Sequence, residues 1–235
     1  MKISGLQKLT LLDFPGRVAC TVFLGGCNFR CPFCHNSQLL GGDAEELMDS
    51  SALLDFLRKR RGVLDGVCIT GGEPTLHADL PELLREIRAL GYQIKLDTNG
   101  YRPDVLKAVI DEGLVDYVAM DVKNGPAHYG QTIGLDAPEL AKIEQSIRLL
   151  LEDRVDYELR TTVVSPLHTE ASISAMAQWL TALGEGKKVK RMFVQPFVDR
   201  DTVAVAGLCA PRADTLSAYV DTLRSCADYV TLRGA

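Results

Sequence analysis

Six short apolar runs, most of them separated by segments whose hydrophobic residues recur at helical spacing, restrict this chain more than any other feature. The runs are Val18 to Leu24, Gly66 to Thr70, Tyr92 to Asp97, Val115 to Val122, Tyr157 to Val164 and Arg191 to Gln195. Short, nearly continuous apolar content suits parallel strands covered on both faces. Between them, Asp79 can cap a helix with Pro81 in its first turn, Leu83, Leu84, Ile87 and Leu90 facing the core, and Gly91 ending it. Asp136, Pro138 and Glu139 open a second helix carrying Leu140, Ile143, Ile147 and Leu150, and Thr169 precedes a third with Ile173, Met176 and Leu180. This alternation implies a parallel sheet with right-handed crossovers, doubly wound or rolled toward a barrel. A closed eight-unit barrel takes roughly 250 residues. The 235 residues here predict an α/β fold, a partial (open) parallel β/α barrel of about six βα units. No linker-like stretch divides the chain, so residues 1–235 are expected to form one domain.

In both architectures the chemistry sits at the carboxyl ends of the strands. The first strand is followed by a loop, residues 25–36, that holds Cys27, Cys31 and Cys34 in a C-x3-C-x2-C spacing. Three thiolates this close can wrap one inorganic centre, as iron-sulfur loops do. A structural zinc site asks for four ligands, usually as two separated pairs, and the adjacency of His35 to Cys34 makes joint ligation by both awkward. The spacing therefore favours a 4Fe-4S cluster with three protein ligands and one iron left open. Cys20, Cys68, Cys209 and Cys226 are scattered, and the first two fall inside expected strands, where cysteine acts as a small hydrophobe.

Composition narrows the function classes. Lys and Arg number 26 against 31 Asp and Glu, a formal charge of −5, which disfavours generic nucleic-acid binding. The N-terminal residues lack a signal-peptide pattern, and no apolar run approaches the roughly 18 residues of a membrane span, so a cytoplasmic protein without a membrane partner is expected. Seven cysteines, an odd number, speak for metal or redox chemistry over a disulfide framework.

Further polar groups fall just past strands. Gly71-Gly72-Glu73 follows the second, Asp97-Thr98-Asn99-Gly100 ends the third, and Asp121-Val122-Lys123 ends the fourth. Glycines admit close backbone approach, and carboxylates accept hydrogen bonds from an ammonium, although each motif alone also reads as a turn or cap. Lys123 can neutralise a carboxylate, while two acidic groups could hold a small cation or ribose hydroxyls. Arg160, inside the fifth strand, is costly in an interior unless it meets an anion or another acceptor. Arg58 to Arg61 read as a basic helix end, and His77, His128 and His168 as surface or capping residues.

Cys27, Cys31 and Cys34, with Phe33 before the last cysteine, resemble the cluster motif of the radical S-adenosylmethionine superfamily. The resemblance implies that the open iron chelates S-adenosyl-L-methionine, whose reductive cleavage yields a 5′-deoxyadenosyl radical. Gly71, Gly72 and Glu73 resemble the motif that binds the methionine amino group. The segments at Asp97 and Asp121 are similar to those of pyruvate formate-lyase activating enzyme. That similarity implies a monovalent cation among Asp97, Thr98 and Asp121 and a cofactor carboxylate on Lys123; Asn99 beside them, and Arg160 because its interior charge needs an acceptor, are further expected to face the cofactor. Where that pattern has a histidine this chain has Val198, which suggests a sister group with Gln195 as a replacement polar contact.

Asp13-Phe14-Pro15-Gly16 and Cys34-His35-Asn36 extend the similarity to glycyl-radical-enzyme activating enzymes, and most closely to anaerobic ribonucleoside-triphosphate reductase activating proteins. The implied reaction removes an α-hydrogen from a glycine of a large partner enzyme, with flavodoxin or ferredoxin as electron donor. Residues 35–67 contain no cysteine, so one cluster is expected. The alternatives are activation of another glycyl-radical enzyme such as pyruvate formate-lyase, or small-molecule chemistry as in 7-carboxy-7-deazaguanine synthase. A non-enzymatic iron-sulfur carrier or zinc module is a third.

Overall fold

The computed structural model describes residues 1–41 and 44–234. In chain order the elements are β1 Lys2–Ile3, β2 Gly5–Thr10, β3 Ala19–Leu24, β4 Met48–Asp49, α1 Ser50–Lys59, β5 Gly66–Gly71, α2 Leu80–Ala89, β6 Gln93–Thr98, α3 Pro103–Asp111 and β7 Tyr117–Asp121. There follow α4 Pro126–Ile133, α5 Leu140–Leu151, β8 Asp156–Val163, α6 Glu170–Gly184, β9 Val189–Pro196, α7 Ala213–Leu223 and β10 Ala227–Leu232. The strand order in the main sheet is β2-β3-β5-β6-β7-β8-β9-β10, and β1 pairs with β4 antiparallel in a separate ribbon. All six expected strands are present among the described residues; β5, β6, β7, β8 and β9 each reach a helix before the next strand, and β3 reaches α1 after the short β4, which gives six strand-to-helix steps there. The α/β class and the mostly parallel sheet follow the sequence reading.

By its contacts the described chain divides into two compact units. The first comprises residues 1–28, 38–119 and 154–156. Here β3 pairs parallel with β5 and β5 with β6, Cys20 lying opposite Val67 and Cys68 opposite Lys95. Val22, Leu24, Val67, Ile69, Ile94 and Leu96 have no exposed surface. β2 flanks β3 antiparallel, with an irregularity between Gln7 and Thr10. Helix α2 begins and ends where its sequence predicts: Pro81 sits in its first turn, and Gly91 follows it in a left-handed conformation, φ 89°. Leu80, Leu83, Leu84 and Ile87 are fully buried, each contributing roughly 1.5–3 kcal/mol of burial. Asp79 occupies the cap position but makes no side-chain cap, its carboxylate lying 3.5 Å from the terminal ammonium of Met1 instead.

The second unit comprises residues 29–37, 120–153 and 157–235 as grouped by contacts, of which 235 lies outside the described residues. β8 pairs parallel with β9, and β9 with β10, a strand the sequence reading did not single out. Helix α6 opens on the expected Thr169, which forms a reciprocal capping box with Ser172. Buried Glu158 on β8 accepts two hydrogen bonds from Arg233, at 2.5 and 2.8 Å, so its charge is compensated. No helix among the described residues is long and apolar enough to cross a membrane.

Candidate functional site

In the first unit the turn after β5 is locked to the loop that follows β3. The Gly72 amide donates to Leu24 O and the Glu73 amide to Gly26 O, both at 2.8 Å, and His77 Nε2 donates to Gly25 O at 2.8 Å. Gly71 has φ 120°, and a Cβ there would overlap the Leu24 backbone; one at Gly72 would overlap the Gly26 carbonyl. These two glycines are thus demanded by protein backbone, a reason the sequence reading, which looked to a ligand, did not identify.

Glu73 is buried, and its carboxylate accepts four hydrogen bonds. Thr75 N at 3.1 Å, Thr75 Oγ1 at 2.5 Å and Thr98 Oγ1 at 2.8 Å reach Oε1, and Asn99 N reaches Oε2 at 2.6 Å. Burial raises the Glu73 pKa above its ordinary range, and the four donors only partly oppose that. Asn99 Nδ2 in turn donates to Asn28 Oδ1 at 2.9 Å, next to Cys27. The structure therefore brings Glu73, Thr98 and Asn99 together at the base of the cysteine loop. Asp97 goes elsewhere: its carboxylate pairs with buried Lys95, and Cys68 Sγ donates to it at 3.8 Å.

In the second unit Asp121 takes hydrogen bonds from Arg160 Nε at 3.0 Å and Lys123 Nζ at 2.9 Å. Burial works against ionisation of this carboxyl, but the charges of Arg160 and Lys123, with their hydrogen bonds, bring it down to about 2; the same pairing raises Lys123. Arg160 thus meets the anion its position required. Phe33 packs with Val164 and Phe197, and Cys31 lies against this cluster. His35 Nε2 donates to Val198 O at 2.7 Å, its ring stacked on Phe197, and Ser37 Oγ donates to Thr202 O. Gln195 lies on β9 opposite Thr162 and is half-buried.

His168 corrects the expectation of a surface or capping residue. It is buried, edge-on to Phe33, with Nε2 donating to Lys123 O at 2.7 Å and Nδ1 accepting from Val164 N at 3.0 Å. Burial lowers its pKa, so the ring is neutral at pH 7 and carries its proton on Nε2. Lys95, and the carbonyl contacts of His168, His35 and His77, are contributions the sequence reading missed, although His77 does stand at the expected cap position, after residues 74–76. Their partners are mostly backbone carbonyls far along the chain, which leave no local pattern.

A 4Fe-4S cluster and S-adenosyl-L-methionine suit these residues. Cys27, Cys31 and Cys34 are all half-buried, and the Asn28 amide nitrogen is a buried donor with no acceptor among the described residues, as is the Tyr129 hydroxyl. No three His, Cys, Asp or Glu among the described residues gather on one point as a single metal ion requires; a cube spreads its thiolates over separate irons. A monovalent cation does not suit them. Thr98 Oγ1 donates to Glu73 and accepts from Gly100 N at 3.1 Å, Asp97 is balanced by Lys95, and Asp121 faces two positive groups. One carboxylate flanked by two fixed positive charges has its negative charge already outweighed, which leaves no net attraction for a further cation at Asp121.

Residues 21–180 match the family model described as the Radical SAM superfamily. A protein of Methanocaldococcus jannaschii, MJ1227, provisionally named a glycyl-radical enzyme activating enzyme, is 35% identical over 185 residues, 75% of this chain and 74% of its own length. The 7-carboxy-7-deazaguanine synthase of Aquifex aeolicus is 36% identical over 77 residues, 33% of this chain and 34% of its length. A solved domain of pyruvate-formate lyase-activating enzyme from Bacteroides vulgatus superposes with a TM-score of 0.57 at 21% identity, over 72% of this chain and 99% of that domain.

Proposed function

Because the chain belongs to the radical SAM superfamily, whose members use a 4Fe-4S cluster and S-adenosyl-L-methionine, we propose that it is an activase that abstracts the α-hydrogen of a glycine in a partner enzyme. The anaerobic ribonucleoside-triphosphate reductase is the partner we infer, with flavodoxin or ferredoxin as reductant and the cytoplasm as location. One observation carries this reading: similarity to a relative named as such an activating enzyme runs along three-quarters of the chain, against one-third for the deazaguanine synthase.

In this reading Cys27, Cys31 and Cys34 would hold the cluster, which with its bound cofactor would supply the radical chemistry that removes the glycine hydrogen atom. The chain's own task is placement. Lys123, with Arg160, leaves one net positive charge beside Asp121 and receives a carboxylate; neutral His168 holds the Lys123 carbonyl, which fixes the strand end from which that ammonium projects. Glu73 fixes the Asn99 amide and the Thr98 hydroxyl, and the orphaned Asn28 amide offers a donor. Phe33, Gly71, Gly72, Asp97 and Gln195 shape the surroundings.

The test is anaerobic reconstitution with iron and sulfide, then dithionite and S-adenosyl-L-methionine. We expect 5′-deoxyadenosine, and with a co-expressed reductase a glycine-centred doublet by electron paramagnetic resonance. No 5′-deoxyadenosine from an intact reduced cluster would defeat the reading. Turnover of a purine-like small molecule without a protein radical would favour the second reading, to which the deazaguanine synthase match gives weight.

A further inference from the structure

We propose that the Lys95 ammonium is a built-in counter-ion to Asp97 and takes the place of a monovalent metal cation at that carboxylate. The inference rests on the reading of this chain as an S-adenosyl-L-methionine enzyme, because the resemblance to that family is what predicts a cation there.

The argument begins with strand geometry. Residues two apart on a strand project from the same face, so Lys95 and Asp97 on β6 share one. Register across parallel strands sets Cys68 of β5 opposite Lys95. The ammonium has 2% of its side chain exposed, donates to Cys68 Sγ at 3.7 Å, and is ion-paired with Asp97. A buried ammonium is costly to leave without a counter-charge, and the partly buried Asp97 carboxylate, 15% exposed, supplies it, which makes the pair self-consistent without an external ion. Thr98, the neighbouring oxygen expected to complete a cation shell, uses its hydroxyl hydrogen on Glu73 and a lone pair on Gly100 N.

The same spacing recurs in the second unit. There Asp121-x-Lys123 at the end of β7 again sets a carboxylate two residues from an ammonium, and Arg160 adds a second positive group. Each aspartate expected to bind a cation therefore has a covalently supplied one. A fixed charge differs from an exchangeable ion in one measurable way: its effect does not depend on which salt is in the buffer.

The experiment compares potassium, sodium and tetramethylammonium chlorides at one ionic strength. Reconstituted protein should bind S-adenosyl-L-methionine, by anaerobic equilibrium dialysis, with dissociation constants within twofold of one another in all three. A tenfold or greater tightening in potassium or sodium over tetramethylammonium would overturn the proposal. Lys95→Met should weaken binding tenfold or more in tetramethylammonium and regain affinity in potassium; unchanged affinity of that variant in tetramethylammonium would also overturn it. Should Lys95→Met fail to fold, the wild-type comparison decides alone. Thermal melting of the cofactor-free protein separates this inference from the functional reading. Melting midpoints equal in the three salts support the internal counter-ion even if no S-adenosyl-L-methionine binds, and a midpoint raised selectively by potassium or sodium counts against it.

Discussion

Four hydrogen bonds converge on the Glu73 carboxylate from residues 75, 98 and 99, so this side chain ties the end of β6 to the turn after β5. Glutamine at this position has one acceptor oxygen and must aim its amide at a backbone or hydroxyl donor. Glu73→Gln is therefore expected to lose about 1–3 kcal/mol in urea denaturation, the cost of buried donors left unpaired; a variant as stable as the parent would contradict this clamp. Asp121 gives a pH prediction. Its folded pKa, about 2, lies below the ordinary 3.8, so its contribution is present above the unfolded pKa and is lost as pH falls through the folded one. Between about pH 4 and 2 the wild type should lose on the order of 2 kcal/mol that Asp121→Asn has already lost at pH 7. Parallel stability–pH curves for the two proteins across that window would refute the assignment.

Among the elements, helix α4 has a direct bearing on the cysteine loop. Its terminal carbonyl at Ile133 accepts from Arg30 N at 2.7 Å, and Gly134 caps it with φ 70°. A Cβ on Gly134 would come within 2.5 Å of Arg30 O, beside Cys31. Gly134→Ala adds left-handed strain of roughly 1–2 kcal/mol and pushes the loop. We expect lower stability and iron retained per protein at less than half the wild-type level, read by iron assay after desalting; full iron content would show that the loop tolerates the shift. Which elements could be read from sequence follows from burial. Strands β3, β5, β6 and β7 are buried along most of their length and so read as apolar runs, β8 and β9 keep alternate buried apolar residues, and Thr169 announces α6 through a local capping pattern. β2 leaves Gln7, Lys8 and Leu9 exposed, and β10 leaves Asp228 and Tyr229 exposed, so neither presents an apolar run. The site divides in the same way. Cysteine spacing and the acidic strand ends are local and legible, whereas the contacts of His168 with Lys123 and of Glu73 with Asn99 span 45 and 26 residues and exist only once the strands are aligned.

For the molecule as a whole, charge and linkage combine into one measurable quantity. The chain carries a formal −5, yet Arg160 and Lys123 outweigh Asp121 locally, so the one-sided charge there runs against the overall sign and suits an anionic group on an otherwise anion-repelling protein. Partial burial of these groups protects that attraction from salt. A ligand that binds only the folded state stabilises it by RT ln(1 + [L]/Kd), about 2.7 kcal/mol at one hundred times the dissociation constant. For a chain of this size that shift corresponds to a melting midpoint higher by about 5–10 °C. S-adenosyl-L-methionine should produce it in the cluster-loaded wild type, measured anaerobically by differential scanning fluorimetry. If the cluster supplies part of the binding site, as three half-buried cysteines in one loop imply, Cys34→Ala should show less than half that shift at the same ligand concentration. An equal shift in the variant would place the ligand's binding energy entirely on side chains and remove the iron from the account of binding.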